Sequence, residues 1–222
     1  MSKIKGTLSK IGFENRGHCV VSDDERFVYI PIAKNASSFT EYILMHNFNW
    51  HYDNFLTNKE LKKKEMLVLI RDPLERWMSG VVEHFYRKNN PSDTPVRLNN
   101  DALLCYVFNQ CALDEHSELQ VNFLNGLNSD NCTFIRVNDN YTDSFKSFVQ
   151  HRLGKKLTLW NTDLESRYNR NTDSPVKLVL LTYLKKYYNR DKQAKKNVSN
   201  YLQPDYDFMT GIDFYDKIKS GI

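Results

Sequence analysis

Leu67-Val68-Leu69-Ile70-Arg71-Asp72-Pro73-Leu74-Glu75-Arg76-Trp77-Met78-Ser79 is the stretch that decides the fold. Its apolar run has no polar–apolar alternation, which predicts a strand buried on both faces, as in a parallel sheet. Pro73 stands where a helix has its first turn, so a helix is predicted from there to about Arg87. A second stretch, Phe27-Val28-Tyr29-Ile30-Pro31-Ile32-Ala33-Lys34-Asn35-Ala36-Ser37-Ser38, repeats the plan. A β-prone run enters a polar turn, then a helix predicted over Ser37 to Asn47. Ser37 is its expected N-cap, with Phe39, Ile43 and Leu44 on one face. Each turn carries cationic and hydroxyl groups. Two anion-binding turns on neighbouring strands predict a ligand with two separate anionic groups.

The rest of the chain extends the pattern. His18 to Val21, Trp50 to Asp53, Thr133 to Val137 and Leu157 to Trp160 read as strands. Asp101 to Cys111 and Thr142 to Leu153, the latter ended by Gly154, read as helices. Asn89 to Pro95 is a loop by composition, and the chain after Pro175 reads as helical with a break at Pro204. Strands alternating with helices predict an α/β fold. Its central sheet is expected to be mainly parallel and flanked by helices, with a helical C-terminal part. Ligands of such sheets bind at the carboxyl ends of the strands, where both quoted turns fall. The 222 residues are read as one domain, 1–222.

The bulk numbers exclude little but are consistent. A hydrophobic share of 41% supplies a core, and a net charge of +4 permits an acidic ligand without demanding one. The pairs and triplets Lys62-Lys63-Lys64, Lys185-Lys186 and Lys195-Lys196 read as solvated helix faces, so nucleic acid is not an expected partner. No apolar run approaches the roughly 20 residues of a membrane span. The N-terminus lacks the apolar core of a signal peptide, so the chain is expected to be cytoplasmic or otherwise soluble. Cys19, Cys105, Cys111 and Cys132 form no close pair, so no metal is expected and the thiols are predicted to be buried.

In the first turn, the backbone N–H groups from Lys34 through Ser38 can cup an oxyanion at a helix N-terminus. Ala36 is small enough to let it approach, Lys34 adds a cation, and Ser37 and Ser38 add hydroxyls. Gly-x-x-x-x-Gly-Lys-Ser/Thr is absent, so this is not the common ATP-binding loop. In the second, Arg71 and Ser79 can face one phosphate from the strand end.

These residues resemble the sulfotransferases that use 3′-phosphoadenosine 5′-phosphosulfate (PAPS). Lys34 through Ser38 is similar to their 5′-phosphosulfate loop, lysine–x–small–x–Ser/Thr after a strand. Arg71 through Ser79 is similar to their 3′-phosphate motif, Arg-Asp-Pro-x-x-Arg-x-x-Ser, in the form of the carbohydrate branch. Phe134 to Asp139 resembles a later strand segment of the family, with Asn138 where a Glu is usual. Tyr201 to Phe208 resembles its C-terminal segment. The resemblance implies a P-loop-like sulfotransferase fold with PAPS as donor and adenosine 3′,5′-bisphosphate as product, and no metal. It implies that Lys34, Asn35, Ala36, Ser37 and Ser38 hold the phosphosulfate, and that Arg71 and Ser79 hold the 3′-phosphate.

Transfer of a sulfuryl group to an acceptor hydroxyl, expected on a carbohydrate, needs positioning, a proton acceptor and a stabilised leaving oxygen. Lys34 suits the last role. In the carbohydrate branch the base follows the helix after the first loop, which points to His51. Glu83 and His84 are the second choices. His116, in His116-Ser117-Glu118-Leu119-Gln120, is expected on the acceptor side. Trp50, Trp77, Phe85 and Tyr86 offer either a sugar-stacking wall or core. Arg87, Lys88 and Arg97 offer charge to an acidic glycan or a solvated face. The alternatives are a P-loop nucleotide or sugar kinase, and a non-catalytic nucleotide- or glycan-binding module on the same fold.

Overall fold

The computed structural model describes residues 19–53, 56–88, 101–158 and 174–215. His18, Arg97, Trp160 and the loop from Asn89 to Pro95 lie outside the described residues. β1 (Cys19–Val21) and β2 (Phe27–Ile30) pair antiparallel, with Val20 opposite Tyr29. Their connection is too short for a crossover, so the chain must reverse. Ser22 shapes that reversal: its Oγ accepts from Phe27 N at 2.9 Å and donates to Asp24 at 2.6 Å. After α1 (Ser37–Phe48), β3 (His51–Asp53) pairs antiparallel with the outer side of β1. β4 (Glu65–Arg71) runs parallel to β2, and β5 (Cys132–Val137) parallel to β4.

The result is an α/β structure on a five-stranded sheet of order β3-β1-β2-β4-β5. The sheet is mixed, which corrects the expectation of a mainly parallel one: only the β2-β4-β5 half is parallel. That half is where the two quoted turns begin.

The remaining helices are α2 (Asn58–Leu61), α3 (Pro73–Lys88), α4 (Asp101–Gln110), α5 (Gln120–Phe123), α6 (Tyr141–Arg152), α7 (Pro175–Arg190) and α8 (Lys192–Thr210). Leu67 and Leu69 of β4 point to the face covered by α1 and α6, among Ile43, Leu44 and Phe145. Met66, Val68 and Ile70 point to the other face, against Leu124, Leu127 and Phe134. This two-sided burial is what the unalternating run predicted. A third cluster joins α3, α4, α7 and α8 through Trp77, Phe108, Leu184 and Val198. None of the helices among the described residues is long and apolar enough to cross a membrane.

Local expectations differ from the structure at several places. The break in the C-terminal helices falls at Asp191, whose carboxylate caps Ala194 N at 2.9 Å, while Pro204 lies inside α8. Ser37 is the first helical residue, not the cap; Ala36 takes the cap position in a left-handed conformation. Leu157 and Thr158 form no strand. Trp50, Trp77 and Phe85 are buried in core, so they form no stacking wall. Cys105 is exposed and Cys132 half-buried, against the expectation of buried thiols; only Cys19 and Cys111 are buried.

Candidate functional site

A cavity of about 970 Å³ opens at the carboxyl ends of β2 and β4. Both quoted turns line it, through Lys34, Ala36, Ser37 and Ser38 on one side and Arg71 and Ser79 on the other. Lys34 (φ 70°) and Ala36 (φ 56°) are both left-handed, a conformation that non-glycine residues seldom hold without a reason in the surrounding structure. The turn so shaped opens the start of α1. Ala36 offers no side-chain cap, and no acidic residue lies in the first turn. The first N–H groups of a helix lack partners within it and carry a positive potential. The start of α3 differs: Asp72 Oδ1 accepts from Glu75 N at 2.9 Å. The α1 terminus therefore lacks the side-chain cap that the α3 terminus has.

Asn35 belongs to the scaffold, not the cavity wall. It is fully buried, and its Nδ2 donates to Leu69 O and to Gln120 Oε1, both at 2.7 Å. Gln120 in turn takes the Arg71 N–H at 3.0 Å and donates Nε2 to Arg71 O at 3.0 Å. One side chain thus fixes both turns. Arg76 adds a second brace. It is buried, and it donates to Ala33 O at 2.9 Å and to Glu118 O. Asp205 of α8 holds the far side of Gln120, accepting from Gln120 N at 2.9 Å and Val121 N at 3.0 Å.

Arg71 is less committed. Its guanidinium meets Glu75 Oε2 at 3.4 Å, with Arg71 half-buried and Glu75 exposed. Surface pairs of this kind contribute about 0–1 kcal/mol. Arg71 can therefore turn to a ligand phosphate at small cost.

The cavity wall is formed by two helix faces with four-residue spacing. Glu75, Ser79, Glu83 and Arg87 lie along α3; Lys177, Leu181, Lys185 and Asn189 lie along α7. Lys185 therefore lines the cavity instead of lying on a merely solvated face. Between the helices, Glu83 Oε2 meets Lys177 Nζ at 2.8 Å and Lys34 Nζ at 3.3 Å, and its Oε1 accepts from Arg87 Nε at 2.8 Å. The side chains of Lys34, Glu83 and Lys177 are only 9%, 10% and 11% exposed. Burial lowers Lys34 to about 8, despite the pull of Glu83 the other way, and the charges of Lys177 and Arg87 add to the fall. Burial opposes ionisation of Glu83, but hydrogen bonds from Lys177 and Arg87 and the charge of Lys34 outweigh it, leaving the carboxyl at about 2.

The candidate bases separate. His51 is exposed on the edge strand β3, opposite Val21, which pairs with Val28 near the amino end of β2. It does not line the cavity at the carboxyl ends, which corrects its choice as first base. His84 is turned away from the cavity, its Nδ1 2.6 Å from Asp114 Oδ2. His116 is buried and lines the cavity. Its Nδ1 stands 3.3 Å from Asp114 Oδ1 and 3.5 Å from Glu115 Oε1, ion-pair distances with no formed hydrogen bond. Its loop reaches α3 only because residue 80 is glycine: a Cβ there would stand 1.9 Å from His116 O. Asn138 lines the same cavity from the end of β5.

Sequence reasoning missed Lys177, Asp114 and the bracing role of Gln120. Lys177 had one signal, a cation in the first turn of a helix, where the macrodipole disfavours it. Set against known proteins, the chain matches no family model, no curated protein and no solved structure.

Proposed function

We propose that this cavity binds PAPS and transfers its sulfuryl group to an acceptor hydroxyl, on a carbohydrate, within a P-loop-like sulfotransferase fold. One observation carries the reading. Two strand-to-helix turns on the adjacent parallel strands β2 and β4 meet at one cavity, each bringing a cation and a hydroxyl. A ligand with one anionic group fills only one of them. A nucleotide with a 5′-phosphosulfate and a 3′-phosphate fits both, the first at Lys34 and the α1 terminus, the second at Arg71 and Ser79.

The step is an in-line displacement. The acceptor oxygen forms a bond to sulfur, the bond from sulfur to the 5′-phosphate oxygen breaks, and the acceptor proton passes to a base. Lys34 and the α1 N–H groups stabilise the negative charge that grows on the leaving oxygen. His116 takes the proton in this reading. It lines the cavity, with the Asp114 and Glu115 carboxylates 3.3 and 3.5 Å from its Nδ1. Glu83, held by three cations at about 2, is a weak base in this arrangement.

The test is titration of the protein with adenosine 3′,5′-bisphosphate without Mg²⁺, then a transfer assay with sulfur-labelled PAPS on a glycan panel. Lys34→Ala and Arg71→Ala are each expected to weaken the bisphosphate, and His116→Ala to stop transfer while keeping it. If neither Lys34→Ala nor Arg71→Ala weakens binding, the donor site is misassigned. Mg²⁺-dependent ATP turnover would point to a kinase instead. Normal affinity with no transfer would point to a binding module.

A further inference from the structure

Two ammonium groups and a guanidinium converge on the single carboxylate of Glu83. Among the described residues, three cations thus share one carboxylate at the cavity wall, and both lysines are largely buried. An oxyanion entering here meets donors already turned toward a negative charge. The helix ends add positive potential. Lys177 sits in the first turn of α7, which carries no acidic residue, and Ser37 and Ser38 begin α1, whose first turn also has none. The two lysines reach the same oxygen, Glu83 Oε2, from different elements.

We infer that Glu83 is an internal stand-in for the anionic group of the donor, and that Lys177 is a second ammonium of that group's binding site. An oxyanion entering beside Lys34 competes with Glu83 for both lysines. Lys34 and Lys177 turn from Glu83 Oε2 to the oxyanion, and Arg87 remains on Glu83 Oε1. The anion thereby bridges the β2–α1 turn and helix α7, two elements that the sequence motifs leave unconnected. The inference rests on the proposed donor for the identity of the anion, but its charge logic holds for any oxyanion in this position.

The two residues then have opposite signs, which a merely structural role would not give. Binding is measured by calorimetry with two probes, adenosine 3′,5′-bisphosphate and inorganic pyrophosphate. Lys177→Ala is expected to weaken pyrophosphate by about tenfold or more, the loss of one charge-assisted hydrogen bond, and Lys177→Arg to restore part of it. Glu83→Gln is expected to tighten pyrophosphate by several-fold, because the competing carboxylate is gone. Opposite shifts with pyrophosphate, in a protein that does not bind the bisphosphate, would support this inference and remove the donor reading. Bisphosphate binding lost in Lys34→Ala but untouched by Lys177→Ala and Glu83→Gln would do the reverse. Weaker or unchanged binding of both probes in Glu83→Gln overturns the stand-in role. If Glu83→Gln does not fold, Lys177→Ala decides alone: unchanged affinity for both probes overturns the inference.

Discussion

Gln120 Oε1 accepts the amide of Asn35 at 2.7 Å while it also accepts the backbone N–H of Arg71 at 3.0 Å. The two strand-to-helix turns are therefore held at one buried amide. Replacing it with Ala removes one of the two acceptors of the Asn35 amide and the side-chain partners of both backbone groups of Arg71. The expected loss of stability is about 2–4 kcal/mol, from buried polar groups left unpaired. Thermal denaturation of Gln120→Ala checks it, with bisphosphate affinity expected to fall as well.

Gly80 predicts a steric failure. Its Cβ position lies 1.9 Å from His116 O, so Gly80→Ala must push the loop from Asp114 to Ser117 off α3. Overpacking of this kind destabilises by about 1–3 kcal/mol. Transfer should fall further than donor affinity, because the loop carries His116 and not the donor turns. An unshifted melting temperature would contradict the close approach.

The charge cluster predicts a pH window. Lys34 titrates at about 8, so its charge, and with it oxyanion affinity, is expected to decline as pH rises past 8. Lys34→Arg should flatten that limb. Stability carries the opposite sign: the folded pKa lies below the ordinary 10.5, so the unfolded chain binds more protons from about 8 to 10.5. Deprotonation in that range relieves the burial cost of Lys34. Glu83, lowered from 4.5 to about 2, contributes stability above 4.5 that is lost as pH falls toward 2. Calorimetric titrations and melting curves across pH 3–10, compared with Glu83→Gln, measure both limbs.

Asp114 predicts a separation of binding from turnover. It meets His84 at 2.6 Å and His116 at 3.3 Å. Asp114→Asn removes the carboxylate that stands beside both imidazoles. In the transfer assay kcat is expected to fall by about ten- to a hundredfold, while bisphosphate affinity stays near the native value. Equal losses in both would make Asp114 a structural residue only.

How much of this was legible follows from what kind of interaction each feature uses. The strand from Met66 to Ile70 and the helix after Pro73 are local patterns, and the sequence alone places them well. The mixed sheet was half legible, since Ser22 to Glu25 reads as a turn but the edge position of β3 depends on pairing across the chain. Lys34, Ser37, Arg71 and Ser79 meet at one cavity because their turns end adjacent strands, which the pattern of elements implies. His51 was misplaced because chain proximity to α1 says nothing about which end of the sheet a residue reaches. Lys177 lies 94 positions from Glu83, and no local pattern reports such a pairing.

The grip of Asp205 on the amides of Gln120 and Val121 carries a consequence for motion. Two hydrogen bonds lead from α8 through Gln120 to Asn35, the residue beside Lys34. Opening of α8 is then expected to loosen the turn at Lys34. Amide hydrogens of α8 should exchange more slowly when the bisphosphate is bound, although no residue of that helix lines the cavity. The last helix is in this sense a clasp: trimming it would release the first turn, at the other end of the chain.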